Sequence, residues 1–196
     1  MKNVLRRRQV VEILLAERKD LLVVAGLGST AWDITAAGDS PLNFPLWGAM
    51  GNAAMIGLGL ALAQPKRRVL VLTGDGEMLM GMGSLATIGV QKPRNLSVVV
   101  IDNERYGETG MQATHTAAGI NLAKVAAACG FRAASLVRDR SKLAMLRTAI
   151  HARPGPIFAQ VKVLAEKLPL ELPPRDGGLL KARFRRALLG ERADLD

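Results

Sequence analysis

Four apolar, strand-like runs set the limits on the fold: LLVVAG (21–26), VLVLTG (69–74), LSVVVID (96–102) and PIFAQVKV (156–163). Between and around them lie segments with helical spacing at 4–17, 52–63, 83–90, 121–129 and 141–152, and a short strand is expected at 133–137. Alternation of this kind predicts βαβ units and the α/β class, an open parallel sheet with helices on both faces. Ligands of such sheets bind where loops leave the carboxyl ends of the strands. The loops after the first three runs are therefore where chemistry is expected.

A chain of 196 residues accommodates one well-buried domain and is short for two. The main body is expected over 1–165. A break follows, where Pro169, Pro173, Pro174, Gly177 and Gly178 interrupt the pattern, and then a basic helix at about 179–189. The unit 166–196 is expected to pack on the body or on a partner. Cys129 is the single cysteine, which excludes an internal disulfide and a cysteine-based metal cluster, and points to a cytoplasmic protein. Glu12, Glu17 and Arg18 break up the N-terminal apolar stretch, so it reads as an amphipathic helix and not as a signal peptide. The apolar run from Trp47 to Ala63 is slightly short for a bilayer and contains four glycines, so a buried helix is expected and no membrane partner.

The net charge of +10 admits anionic ligands, an acidic partner or a solvated basic face. Its basic clusters, at 6–8, 65–68 and 181–186, carry no interleaved aromatic residues to stack bases, so no nucleic-acid partner is expected.

Gly74-Asp75-Gly76 ends the second apolar run, and Asp102-Asn103 ends the third, 28 residues on from Asp75 to Asn103. A carboxylate oxygen and an amide oxygen at two strand ends are ligands of the kind that Mg²⁺ or Ca²⁺ takes, often together with a diphosphate. Gly74 and Gly76 allow a sharp turn and a close approach of backbone to phosphate. A glycine-flanked turn alone is common in loops; the spacing to Asn103 is what makes this one informative.

The pattern resembles the motif of the thiamin diphosphate-dependent enzymes, which runs from GDG to an Asn-Asn end; here the first Asn is replaced by Asp102, at a position not expected to be a ligand. The resemblance implies that Asp75 and Asn103 hold Mg²⁺ by their side chains and Arg105 by its carbonyl. Glu77 follows the motif where many relatives have a small residue, so it either points away from the diphosphate or adds local negative charge. In Trp47-Gly48-Ala49-Met50-Gly51, the resemblance implies that the Gly48 carbonyl accepts from the aminopyrimidine and that Met50 wedges between the cofactor rings. Gly26-Leu27-Gly28-Ser29-Thr30 offers amides and hydroxyls to the diphosphate, although Ser29 and Thr30 serve equally as helix caps. The glycines of Tyr106-Gly107-Glu108-Thr109-Gly110-Met111-Gln112 suit packing against a bound diphosphate, while Thr109 and Gln112 suit loop capping. His115, beside this loop, is a candidate proton carrier or a capping residue.

These matches span about 20–165. The loop DNERYGETGMQ and the tail PPRDGGLLKARFR resemble the branch of the family containing sulfopyruvate and phosphonopyruvate decarboxylases. By resemblance, the chain is the diphosphate-binding part of a 2-oxo acid decarboxylase with thiamin diphosphate and Mg²⁺ as cofactors and an anionic 2-oxo acid as substrate. The activating glutamate of that family lies in a pyrimidine-binding domain, for which there is no room before the first strand. An α-type partner subunit is expected to supply it, in an α2β2 assembly. Carboligation within the same family, or a non-thiamin nucleotide-binding domain, are the alternatives.

Overall fold

A computed structural model describes residues 4–194; the first three residues and the last two, at the outer ends of the two expected units, lie outside the described residues. The order begins α1 (Arg7–Leu15), β1 (Leu22–Ala25), α2 (Ser29–Ala36), β2 (Asn43–Pro45), α3 (Ala53–Ala63) and β3 (Val69–Gly74). It continues with α4 (Asp75–Met80), α5 (Ser84–Gln91), β4 (Leu96–Asp102) and a small antiparallel hairpin, β5 (Arg105–Tyr106) with β6 (Gln112–Ala113). The last elements are α6 (Leu122–Ala128), β7 (Ala133–Val137), α7 (Arg140–Ala152), β8 (Ile157–Lys162) and α8 (Gly177–Leu189).

Six strands form one parallel sheet in the order β2-β1-β3-β4-β8-β7. Every residue of β4 is buried, and its apolar side chains divide by period two between two cores. Leu96, Val98 and Val100 face a core completed by α3, α5, α6 and Phe184 of α8. Val99 and Ile101 face a second, completed by Leu14 of α1, Ile34 of α2 and Leu146 of α7. Each buried Val or Leu contributes roughly 1.5–3 kcal/mol over leaving it in water, which is what holds the strands between the helical layers.

Several elements were absent from the sequence reading, the helices α2 and α4, the edge strand β2 and the β5–β6 hairpin, and the expected first helix is shorter than 4–17, ending as Glu17 takes a left-handed φ of 53°. Among the described residues no helix is long and apolar enough to cross a membrane. The apolar run at 47–63 instead forms a turn and α3. Beyond β8 the chain returns across the carboxyl edge of the sheet. The Leu164 amide donates to the Leu5 carbonyl, Arg6 pairs with Glu166 at 3.2 Å, Arg8 donates to the Pro169 carbonyl, and the Trp47 indole donates to that of Pro174. α8 then covers β2, with the Phe184 and Phe44 rings 5.3 Å apart.

Candidate functional site

β1 and β3 are neighbours, yet the chain leaves them toward opposite faces. After β1 it enters α2, in the layer with α1 and α7; after β3 it enters α4 and α5, in the layer with α3. Such a switch point opens a crevice beyond the carboxyl ends of the strands. A cavity of about 420 Å³ lies here, and its lining brings together Leu27 and Ser29 after β1, Gly74, Asp75, Gly76 and Glu77 after β3, and Asn103, Arg105, Tyr106 and Gly107 after β4. Met50 lines it too, from the turn before α3.

Asp75 is the electrostatic centre. Its carboxylate is 2% exposed and, among the described residues, has no ion-pair partner. Oδ2 accepts from the hydroxyl of Thr114 and, at 3.2 Å, from that of Thr116. Burial pushes its pKa up to about 6, and the nearby Asp102 adds to the rise against the hydroxyl hydrogen bonds that oppose it. Asp102 itself turns under the site: it accepts from Thr116, from Gln160 and from Lys162 at 2.8 Å, and the Glu104 amide donates to it. Its negative charge is thus paired within the protein; that of Asp75 is not. Asn103 Oδ1 accepts from the Arg105 amide at 2.9 Å, a local turn that fixes the side-chain oxygen at the end of β4.

Glu77 takes the inward direction. Its carboxylate accepts from the Thr73 hydroxyl at 2.8 Å through Oε2, faces the amides of Gly51 and Ala53 and lies against Gly26, while Oε1 is buried without a hydrogen-bond partner among the described residues. Burial raises its pKa, with those hydrogen bonds opposing. It ties the end of β3 to the turn that carries Met50. At Gly76 a side chain would collide with the ring of Tyr106, so the glycine is what lets the loop after β4 close on the loop after β3. Gly28, with φ 72°, ends the turn into α2 and lies against Glu108, whose carboxyl pKa is raised by burial while Arg7 opposes the rise.

Gly28, Gly48 and His115 do not line the cavity; His115 is exposed in a 3-10 turn. Four contributors escaped the sequence reading. Thr114 and Thr116 bridge Asp75 to Asp102. Arg7, from α1, is buried and donates to the Ser29 carbonyl and to Asp33 at 2.6 Å. Lys167 reaches the cavity from the returning segment. Only the hydroxyl-rich THT stretch after the glycine loop hinted at the first two; nothing local marks Arg7 or Lys167.

Residues 28–161 match the family model described as thiamine pyrophosphate enzyme, C-terminal TPP binding domain. The chain belongs to this family. The sulfopyruvate decarboxylase subunit beta of Methanothermobacter thermautotrophicus is 41% identical over 159 residues, covering 81% of this chain and 82% of that one. The phosphonopyruvate decarboxylase of Streptomyces viridochromogenes is 39% identical over 158 residues, which are 80% of this chain but 39% of that longer one. Among solved structures, one described as a thiamin diphosphate-dependent enzyme from Mycobacterium smegmatis superposes with a TM-score of 0.70 at 26% identity, over 84% of this chain and 33% of that one. The family's cofactor is thiamin diphosphate with Mg²⁺. The cavity fits that pair: a buried, unpaired carboxylate beside an amide oxygen suits a hard divalent cation, and glycine loops at adjacent strand ends admit a diphosphate.

Proposed function

We propose that this chain is the cofactor-diphosphate-binding β subunit of a heteromeric, cytoplasmic 2-oxo acid decarboxylase, completed by an α-type subunit that carries the pyrimidine-binding domain, in an α2β2 assembly. The observation that carries the reading is Asp75: a desolvated carboxylate at the switch point, held by the hydroxyls of Thr114 and Thr116 and by its own backbone amide, without an ion-pair partner among the described residues, and facing a cavity that Asn103 also lines.

In this reading the side chains of Asp75 and Asn103 and the carbonyl of Arg105 would hold Mg²⁺, and the cation would relieve the cost of burying Asp75 ionised. Gly28, Ser29, Gly74, Gly76, Tyr106 and Gly107 would face the diphosphate. Gly48 and Met50 would serve the aminopyrimidine and the bend between the rings. Glu77 positions Met50 through the amides at 51 and 53 and does not touch the diphosphate. The bound cofactor supplies the electron sink for loss of CO₂. This chain orients it and keeps water from its charged end, and Arg105 and Lys167 stand in the cavity lining together with Glu108 and Glu166.

Two similar proteins of matching length support a subunit role: the Methanococcus maripaludis relative, 34% identical and covered over 98% of its length, is also named sulfopyruvate decarboxylase subunit beta. The test is reconstitution with the α-type chain and assay against sulfopyruvate, phosphonopyruvate and pyruvate. CO₂ release that needs both chains, thiamin diphosphate and Mg²⁺ is expected, with the doubly acidic substrates preferred. A complex that binds cofactor but joins two 2-oxo acids would favour the carboligase alternative.

A further inference from the structure

Two acidic side chains flank Asn103, and one ammonium holds both. Lys162, the last residue of β8, pairs in register with Asp102, the last residue of β4. Its Nζ lies 2.8 Å from Asp102 Oδ2 and 2.6 Å from Glu104 Oε1, so it bridges the residues immediately before and after Asn103. Asp102 is fully buried, while the side chains of Lys162 and Glu104 are 15% and 43% exposed, so the bridge runs from beneath the strand ends out to the surface. A shared, partly buried ammonium restrains both carboxylates, where an isolated exposed pair contributes little.

What the bridge holds is a sharp bend of backbone. Glu104 takes a left-handed φ of 62°, a costly conformation for a residue with a side chain, and it stands between Asn103 and Arg105, which both line the cavity. The hydrogen bonds of the bend pass through the same residues. The Glu104 amide donates to Asp102 Oδ1 at 3.0 Å, the Arg105 amide to Asn103 Oδ1 at 2.9 Å, and the Thr114 amide to the Glu104 carbonyl at 3.1 Å. β8 anchors the stem of the bend twice more, since Gln160 donates to Asp102 at 2.6 Å and the Val163 amide to the Asp102 carbonyl at 2.9 Å. Glu104, on the far arm, is tied to β8 through Lys162. A cation held by the Asn103 side chain and the Arg105 carbonyl needs both oxygens fixed at once, and the left-handed residue lies between them.

We propose that Lys162 is a positioning residue for the cation: by holding Asp102 and Glu104 together it fixes the left-handed bend that sets Asn103 and Arg105 in the cavity lining. This role rests on the metal reading above, in which those two residues carry Mg²⁺. Lys162 does not itself line the cavity, so it acts through the backbone and not by contact with metal or diphosphate. Positioning and plain charge predict opposite signs. Removing a positive charge beside a cation site would by itself strengthen cation binding, whereas loosening the bend weakens it, because the order must then be supplied on binding.

The test uses the full chain as wild type, Lys162→Gln, Glu104→Gln and the control Lys124→Met, an exposed lysine on α6 outside the cavity lining. Lys162→Gln leaves Asp102 its donors from Thr116, Gln160 and the Glu104 amide. Glu104→Gln cuts only the outer arm and keeps the buried pair, so it is expected to fold, as judged by thermal unfolding, even where the first variant does not. In calorimetric titrations of Mg²⁺ at saturating thiamin diphosphate, the half-saturating Mg²⁺ concentration is expected to rise about tenfold in Lys162→Gln and about threefold in Glu104→Gln, and to stay within about twofold in the control. In the cofactor-free chain, hydrogen exchange at the amides of Arg105 and Thr114 should quicken about tenfold in Lys162→Gln while the amides of β3 stay protected, a local change that a general loss of stability would not give. Unchanged or tighter Mg²⁺ binding in Lys162→Gln, or unchanged binding and exchange in Glu104→Gln, would overturn the proposal and leave the metal reading in place. Wild-type uptake of thiamin diphosphate that ignores Mg²⁺ would overturn the metal reading and this role with it.

Discussion

The sheet has a cavity at each edge, of similar size and opposite electrostatic character. The one beyond the amino ends of the strands, about 390 Å³, is lined by Arg18, Lys19, Lys66, Arg68, Arg147 and His151 with Glu17 and Asp20. Its guanidinium groups donate mainly to the backbone, Arg18 to the carbonyls of Leu21 and Leu42, Arg68 to those of Ile150 and Arg153, and Arg147 to Ala16 and to Glu17, while the Nε atoms of Arg18 and Arg147 are buried without a hydrogen-bond partner among the described residues. Burial lowers the Arg18 pKa to about 10, with Asp39 opposing, so it stays charged at neutral pH. The cavity beyond the carboxyl ends instead keeps Asp75 buried with neutral hydrogen-bond donors and, among the described residues, no ion-pair partner. Basic surface whose charges are shared with backbone carbonyls and acidic side chains carries most of its own compensation. A desolvated carboxylate with no ion-pair partner among the described residues lacks it, and that difference separates a structural edge from a binding edge.

The comparison breaks most sharply at Asp75. Asp75→Asn is expected to weaken Mg²⁺-dependent cofactor binding by about 100-fold or more, since the charge that offsets the cation is gone. The same change should stabilise the cofactor-free chain. A carboxyl whose folded pKa of about 6 exceeds its unfolded value contributes stability that is fully present below the unfolded pKa, near 4, and is lost as pH rises through 6. At pH 7–8 the gain from Asn is therefore at most about 3 kcal/mol, and it should shrink toward zero below pH 4, as measured by denaturant unfolding. Cofactor binding by the wild type runs the other way, falling as pH drops through 6 and Asp75 takes up a proton.

Thr116→Val removes the hydroxyl that stands between Asp75 and Asp102, and is expected to cost roughly 1–2 kcal/mol of stability and about tenfold in cofactor affinity by titration. Glu108→Gln removes a carboxylate lying against Gly28, in the turn offered to the diphosphate, and should tighten cofactor binding about threefold, or roughly 0.7 kcal/mol. The smallest effect is expected at the opposite edge, where Lys66→Ala should leave the same titration unchanged within twofold; a larger change would erase the distinction between the two edges.

Legibility followed the range of the interactions. The strands at 69–74, 96–102 and 133–137 were readable because apolar runs with turn residues at their ends are local signals. β2 was not: it has three residues, one of them Pro45, and only its place on the sheet edge lets a residue without an amide proton stand there. α2 was hidden because its opening Ser29-Thr30 belongs to a glycine turn and its pattern is short. Asp75 and Asn103 stood out by spacing, since each directly follows an apolar strand and the two strands pair in register, which brings both into the cavity lining. The hydrogen bonds that join Asp75 to Thr114 and Arg7 to Asp33 span 39 and 26 residues and leave no periodic trace in the chain. The direction of Glu77 was undecidable for the same reason, because its partners at 51 and 53 come from another loop.

The most direct test of the account is calorimetric titration of thiamin diphosphate into this chain with and without Mg²⁺, alone and with the α-type subunit. Binding that requires Mg²⁺, strengthens with the partner and disappears in Asp75→Ala is the predicted result. Binding that is indifferent to Mg²⁺ and to Asp75, or no binding in either state, would contradict it.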